Sequence, residues 1–379
     1  MRLGVFYAAI FVAMGVHLPF WPVWLKAQGL SDTEVGLVVG VGMGARVIAN
    51  PLVAHWVERK GQLIYLMRLL AAVSLILCAL FAVVNGFWSL LILSATWLAI
   101  FTAIMPLGES LTLFTAYARR LDYGRIRLWG SLSFMMASMV GGVLLADHSP
   151  AVILWILMIG MVLTLVACLL IEDIVPSTPS SLHSAAFRQV LADSRYWLFL
   201  ASASLINASH NIYYSFATLH WQRAGISPIV IGGLWAEAVM AEVLLFAFSN
   251  TIVAWLRPIG LLILGGGAAM IRWLVLGSST HLMVLIAAQL LHAFTFGAIH
   301  IGAMHFLTCA VPPEASARAQ AVYGSVSMGA AVGLATMVAG PLYQALAGQA
   351  FHISAGLAVL GSLLAARLYR RWQGELLGS

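Results

Sequence analysis

Six side chains able to carry charge, Arg46, Glu109, Arg127, Glu237, Glu242 and Arg272, stand inside stretches that are otherwise apolar. A charge near the middle of a bilayer costs about 2.5–3.5 kcal/mol on insertion scales, so each of them needs a partner or a wet cavity. Three carboxylates and three guanidiniums suggest pairing across a polar cavity. Such a cavity suits an anion, and a carboxyl group in a low-dielectric site takes up a proton more readily than one in water. Glu109 lies in PLGESL, and Arg127 follows eighteen residues later in DYGRIRLWGS. The chain turns back between them, so two antiparallel helices can set the pair side by side and leave Arg125 at the membrane surface. Glu237 and Glu242 are five residues apart and face different sides of one helix. Glu242 is the one expected to meet Arg272; Glu237 reads equally as a proton site or as a residue tolerated in a wet cavity.

Other side chains carry weaker signals. His292, His300 and His305 are separated by about 80° and 140° around a regular helix of 3.6 residues per turn, so no metal site is expected from them. Trp129, Tyr213 and Tyr214 lie deep enough to stack on an aromatic solute, and ordinary packing explains each of them as well. Trp21 and Trp24, near the outer end of the first span, read as interface anchors. Cys78, Cys168 and Cys309 are isolated and give neither a disulfide framework nor metal-ligand spacing.

The elements that must position these residues follow from composition. The chain of 379 residues is 62% hydrophobic and 8% charged, with a mean hydropathy of +0.98. Soluble domains carry about 25% charged residues, so this is a polytopic membrane protein. Roughly twelve apolar stretches reach the length of about 20 residues that a spanning helix needs, the seventh read over 196–220 and the ninth over 259–277. The net charge of +6 does not mark a nucleic-acid partner. Outside the spans, the arginines fall at the N-terminus, in every second loop and at the C-terminus, and the intervening loops carry only Lys26 and Arg223; this is the positive-inside bias and places both termini in the cytoplasm. A bacterial inner membrane is the expected location. The first run, Leu3 to Leu25, is too long for a signal-peptide core and reads as a spanning helix.

The longest polar break, 172–195, is rich in Ser, Pro and charge and reads as a cytoplasmic linker between bundles at 1–171 and 196–379. The two halves resemble each other. Gly29-Leu-Ser-Asp-Thr-Glu-Val-Gly36 recurs as Gly225-Ile-Ser-Pro-Ile-Val-Ile-Gly232, an offset that also puts Arg46 on Glu242. Trp129-Gly-Ser-Leu-Ser133 recurs as Tyr323-Gly-Ser-Val-Ser327. Parallel six-helix repeats with a site near the midplane are the architecture of major facilitator transporters.

Local sequences strengthen that resemblance. Tyr123-Gly-Arg-Ile-Arg-Leu-Trp-Gly130 resembles the start of helix five in the lactose permease and its relatives. There a helix-four Glu precedes the second Arg by the same eighteen residues, and the two bind substrate. Arg272 and His292, twenty residues apart, are spaced like that permease's helix-nine Arg and helix-ten His. Glu242 lies two or three residues from the position of its helix-eight Glu. Departures are clear: Thr295 stands where the permease has its proton-carrying Glu, Gln289 where it has a Lys, and LINASHNIYYSF lacks its helix-seven aspartates. The coupling chemistry therefore does not carry over whole. The phenylpropionate permease branch of the superfamily is a closer resemblance, through LPFWPVWLKAQGL, LDYGRIRLWGS, SHNIYYSF, LWAEAVMAEV and LLHAFTFGAIHIGAMHF, in order across nearly the whole chain. AHWVERKGQ resembles a degenerate helix two–three motif of the superfamily, with Glu58, Arg59 and Gly61 kept as the gating loop and Ala54 in place of Gly.

The resulting expectation is an all-α membrane protein of twelve transmembrane helices in two pseudo-symmetric six-helix bundles, a secondary transporter working by alternating access. The resemblance implies a small organic anion as substrate, an aromatic carboxylate such as 3-phenylpropionate. Arg127 and Arg272 would hold it, with Arg46 and His292 beside them and Glu109, Glu242 or Glu237 carrying a coupled proton inward. No cofactor is expected; a proton gradient supplies the energy, and the lipid-embedded protein reads as a monomer. Symport of a neutral sugar or nucleoside, and drug or metabolite efflux, stay open as alternatives. A membrane enzyme would need a nucleophile–base or metal cluster, and a sensor a signalling domain or long tail.

Overall fold

In lipid, every backbone N–H and C=O must be satisfied within its own segment, so the apolar runs become helices. The computed structural model describes residues 2–172 and 184–378, and gives the backbone alone at residues 58, 184, 185, 249 and 250. The first six helices are α1 Arg2–Ala27, α2 Asp32–Lys60, α3 Leu63–Leu80, α4 Phe87–Arg119, α5 Tyr123–Asp147 and α6 Ala151–Leu170. Then come α7 Ser184–Ala192, α8 Ser194–Ala208, α9 Asn211–Arg223, α10 Pro228–Ala247 and α11 Ser249–Ser278. Next are α12 Leu282–Leu290, α13 Ile299–Ala310, α14 Pro313–Tyr323, α15 Val332–Leu346 and α16 Ala350–Arg371. A π-helical segment, Ala293–Ala298, joins α12 to α13, and another, Gly324–Ala331, joins α14 to α15. Ten described stretches are long and apolar enough to cross a membrane. One of them, Pro313–Arg371, is 59 residues long and contains two passes; α8 with α9 adds another, giving twelve.

Three elements depart from the sequence expectation. The seventh span, expected as one helix over 196–220, breaks at Ser209–His210. The polar run Ser209-His210-Asn211 competes for the backbone: Ser209 Oγ donates to the Ile206 carbonyl at 2.6 Å, and Asn211 Oδ1 accepts from the Ile212 N–H at 2.8 Å. The ninth span begins earlier than residue 259, because α11 continues through a kink at Arg257–Pro258. In the expected linker, residues 173–183 lie outside the described residues, and Ser184–Ala192 is helical.

The described residues form two compact units. One comprises 2–172 with 214–239; the other comprises 184–213 with 240–378. In the first, α1 packs along α5 and α6, α2 along α4, and α3 along α6. In the second, α8 packs along the second π segment and α16, and α11 along α16. The α1–α5, α1–α6 and α3–α6 pairings of the first unit therefore recur in the second as α8 with the second π segment, α8 with α16 and α11 with α16.

The first repeated motif is a repeated turn. Gly29 and Gly225 both adopt left-handed backbone, φ 87° and 83°. At each, the next residue's N–H reaches back five positions, Leu30 to the Leu25 carbonyl and Ile226 to the Trp221 carbonyl. This is the Schellman ending, which favours glycine because it has no Cβ. The serine that follows begins the next helix, and Ser31 forms a full capping box with Glu34. Beyond these turns α5 and α10 nearly touch. A Cβ on Gly232 would lie 2.4 Å from the Ser138 carbonyl oxygen, and one on Gly142 would lie 2.4 Å from that of Pro228.

Trp21 and Trp24 are not interface anchors. Both are 2% exposed and stack on one another at 4.5 Å, with Phe81 and Trp97 closing around them. Position along a span sets depth but not direction, and this face of α1 meets rings from the end of α3 and from α4.

Candidate functional site

Glu109 and Arg127 approach each other in the first unit, with Arg127 Nε 3.9 Å from Glu109 Oε1. Both remain partly open, at 41% and 30% side-chain exposure. The turn between α4 and α5 contributes little to this arrangement, because α5 lies along α1 far more than along α4. Helix α1 is the wedge. A Cβ on Gly108 would lie 2.1 Å from Cε1 of Phe6, so the ring of Phe6 is seated against α4 beside Glu109. On the same helix, Arg127 lies over the rings of Phe11 and Tyr7, 4.3 and 5.3 Å from their centroids. Gly130 keeps the space for this guanidinium, since a Cβ there would stand 3.0 Å from Arg127 Nη1 and from Phe11. Tyr7 and Phe11 were not singled out from sequence. Their signal is an i, i+4 aromatic pair on one face of a helix.

The second unit encloses Arg272 completely, at 0% exposure. Its Nη2 donates to Gln289 Oε1 at 2.6 Å, and its Nη1 donates to Thr295 Oγ1 at 3.1 Å and to His292 Nδ1 at 2.9 Å. The ring of Tyr213 lies 4.3 Å from its guanidinium carbon, and that of Trp273 lies 4.9 Å away. Gln289 also donates to the Tyr213 hydroxyl at 2.9 Å. Because Nδ1 of His292 accepts from an arginine, its ring proton sits on Nε2. Nε2 is 3.7 Å from Glu242 Oε2, so His292 stands between Arg272 and Glu242. Gln289, His292 and Thr295 are spaced three apart across the end of α12 and the start of the π segment, and all three turn toward Arg272.

The π-helical segment after His292 alters the expected geometry of this helix. Regular winding would set His292 and His300 about 80° apart. The wider π turn brings them into one column, with His292 on Phe296 at 5.7 Å and Phe296 on His300 at 6.2 Å. Such π insertions are frequent at functional sites.

The other sequence-selected residues are dispersed. Arg46 Nε donates to the Met43 carbonyl of its own helix at 3.0 Å. Glu237 is half-buried in the part of α10 that belongs to the first unit, whereas Glu242 belongs to the second. Tyr214 stacks on Trp235 at 6.4 Å, and Tyr213 is fully buried under Arg272. Trp129 is 57% exposed and lies against Gly4 of α1. In the helix two–three motif, Gly61 has φ 65° and closes α2 with its N–H on the Val57 carbonyl at 2.8 Å. Arg59 is exposed in the last turn, where its charge suits the helix dipole, and of Glu58 only the backbone is described.

Two aromatic-backed arginines with nearby glutamates, on a twelve-pass helical frame with a repeated turn, agree with one family. The MFS_1 like family matches residues 1–353. The chain belongs to it. A probable 3-phenylpropionic acid transporter of Escherichia coli (strain K12) is 35% identical over 360 residues, 94% of each chain. A maltose permease of Geobacillus stearothermophilus is 24% identical over 344 residues, 89% of this chain and 86% of that one. The crystal structure of the nucleoside transporter NupG superposes with a TM-score of 0.85 at 15% identity, covering 97% of this chain and 98% of that one. The protein is an integral, multi-pass transporter of the major facilitator superfamily, with a small molecule as its cargo. Members of that family are transporters rather than enzymes.

Proposed function

We propose that this transporter imports a small aromatic carboxylate such as 3-phenylpropionate together with protons, by alternating access of bundles at 1–171 and 196–379 joined by 172–195. The observation that carries the reading is Arg127: a guanidinium inside the membrane, 30% exposed, lying over two aromatic rings and only loosely held by Glu109 at 3.9 Å. A carboxylate can replace Glu109 on that guanidinium through paired hydrogen bonds, while the buried rings of Tyr7 and Phe11 hold the guanidinium from behind. Arg272 has no exposed surface here, so its proposed role is to hold His292, Gln289 and Thr295 in place until the site opens. Glu109, Glu242 and Glu237 are the proposed proton carriers, with a proton gradient and no cofactor as the energy source. The name of the 35%-identical relative supports the substrate class. The proposed setting is a bacterial inner membrane, as a monomer with both termini cytoplasmic.

The test is uptake of labelled 3-phenylpropionate by cells expressing the protein, with and without a protonophore, beside Arg127→Gln. The expected result is loss of uptake under either treatment. No uptake by well-expressed wild type would overturn the substrate, and labelled maltose and a nucleoside, run in parallel, would identify a neutral cargo.

A further inference from the structure

The strongest feature outside the transport site begins with the sequence WLRPIG. Proline lacks a backbone donor and disfavours helical conformation in the residue before it. Arg257 leaves the helical region at ψ 165°, as the proline demands, but its φ of 57° is left-handed, a combination that side-chain-bearing residues rarely adopt and that concentrates at functional sites. The kink puts Arg257 into the wall of a 590 Å³ pocket, shared with Cys309 of α13 and with Tyr369, Arg370, Trp372 and Gln373 at the end of α16. That volume falls within the range of about 300–1,000 Å³ typical of small-ligand sites.

We infer that this pocket binds a phosphate group. Among the described residues lining it are two arginines and no carboxylate. Guanidinium forks match phosphate oxygens in paired hydrogen bonds, and a tyrosine hydroxyl and a glutamine amide add neutral donors. The neighbouring acids are engaged elsewhere. Asp193 accepts from Arg195 and from the Gly378 N–H, and Glu375 pairs with Arg195 and accepts from the Gln373 N–H. One wall is fixed in advance by the chain after α16. The Trp372 indole N–H donates to the Glu375 carbonyl at 2.7 Å and its ring meets Phe306 at 5.0 Å, while Leu377 is 2% exposed and its N–H reaches the Ala310 carbonyl at 2.7 Å. A preformed wall lowers the ordering cost of binding. Tyr369, which lines the pocket, is 49% exposed, and Trp255, two residues before Arg257, is 84% exposed, as aromatic residues are at a membrane surface. The phosphate can thus belong to a lipid headgroup or to a soluble ester.

The protein supplies its own reporter, because Cys309 is exposed in this pocket while Cys78 and Cys168 are buried. The experiment measures the alkylation rate of Cys309 by a water-soluble maleimide in the full chain in detergent, with Cys309→Ser as background. Short-chain phosphatidylglycerol and glycerol 3-phosphate are the two probes, and a short-chain diacylglycerol is the phosphate-free control. Expected is a slowing of five-fold or more by at least one phosphate probe, absent in Arg257→Gln and Arg370→Gln. Protection by phosphatidylglycerol alone assigns the site to a lipid; protection by glycerol 3-phosphate assigns it to a soluble ester. Protection that survives both substitutions, equal protection by diacylglycerol, or no protection by either phosphate overturns the inference.

Discussion

Replacing Gln289 tests whether the second unit is organised around Arg272. Gln289 accepts from the guanidinium at 2.6 Å and donates to the Tyr213 hydroxyl at 2.9 Å, with 0% exposure. Gln289→Leu keeps the approximate volume and removes both bonds. A hydrogen bond to a charged group contributes about 1.5–3 kcal/mol and a neutral one about 0.5–1.5 kcal/mol. The expected loss is therefore about 2–4 kcal/mol, the larger share from the guanidinium left without this acceptor. Gln289→Glu makes a matched control: it keeps an acceptor for Arg272 and can accept from Tyr213, so it should lose less than half as much. The assay is thermal unfolding of the purified protein in one detergent at pH 7, where 1 kcal/mol corresponds to a shift of roughly 2–4 °C for a unit of this size. Equal melting of the two variants would refute the reasoning, because loss of packing would then explain both.

Three further outcomes follow from other sites. Gly232→Ala drives a Cβ to 2.4 Å from the Ser138 carbonyl oxygen, a backbone atom that cannot rotate away; overpacking of this kind costs about 1–3 kcal/mol, read as a lower melting temperature that Gly233→Ala, with open space around it, should not reproduce. The hydrogen bonds from the Arg195 side chain hold the Asp193 carboxyl at about 2, below the ordinary 3.8. A depressed carboxylate stabilises the fold above its unfolded value and loses that contribution as pH falls through the folded one. Asp193→Asn should therefore cost about 1–3 kcal/mol at pH 7, with the gap in melting temperature closing between about pH 4 and pH 2. Gly130→Val presses on Arg127 Nη1 and Phe11, so it should impair uptake with less effect on expression than Gly108→Val, where Phe6 blocks the new side chain; the reverse order in matched uptake and immunoblot measurements would remove Gly130 from the site.

The sequence by itself determined that the chain lives in a membrane, crosses it about twelve times and carries an internal repeat. These follow from length, hydropathy and glycine spacing, which are local properties. Gly29 and Gly225 were legible for that reason, since a left-handed glycine followed by a capping serine writes the same turn twice. Charged residues in apolar runs were equally legible, because the bilayer makes each of them costly. Tertiary structure decided which partners they meet. Separation along the chain suggested that the α4–α5 turn would set Glu109 against Arg127, whereas Phe6, Tyr7 and Phe11 of α1 shape that meeting place. It placed His292 between Arg272 and Glu242, and it stacked His292 on Phe296 and His300 through a π turn that regular periodicity does not anticipate. It also turned Trp21 and Trp24 inward. Hydropathy fixes how deep a side chain sits, but the direction it faces depends on helix rotation and on the packing of distant segments, and neither is written at any single position.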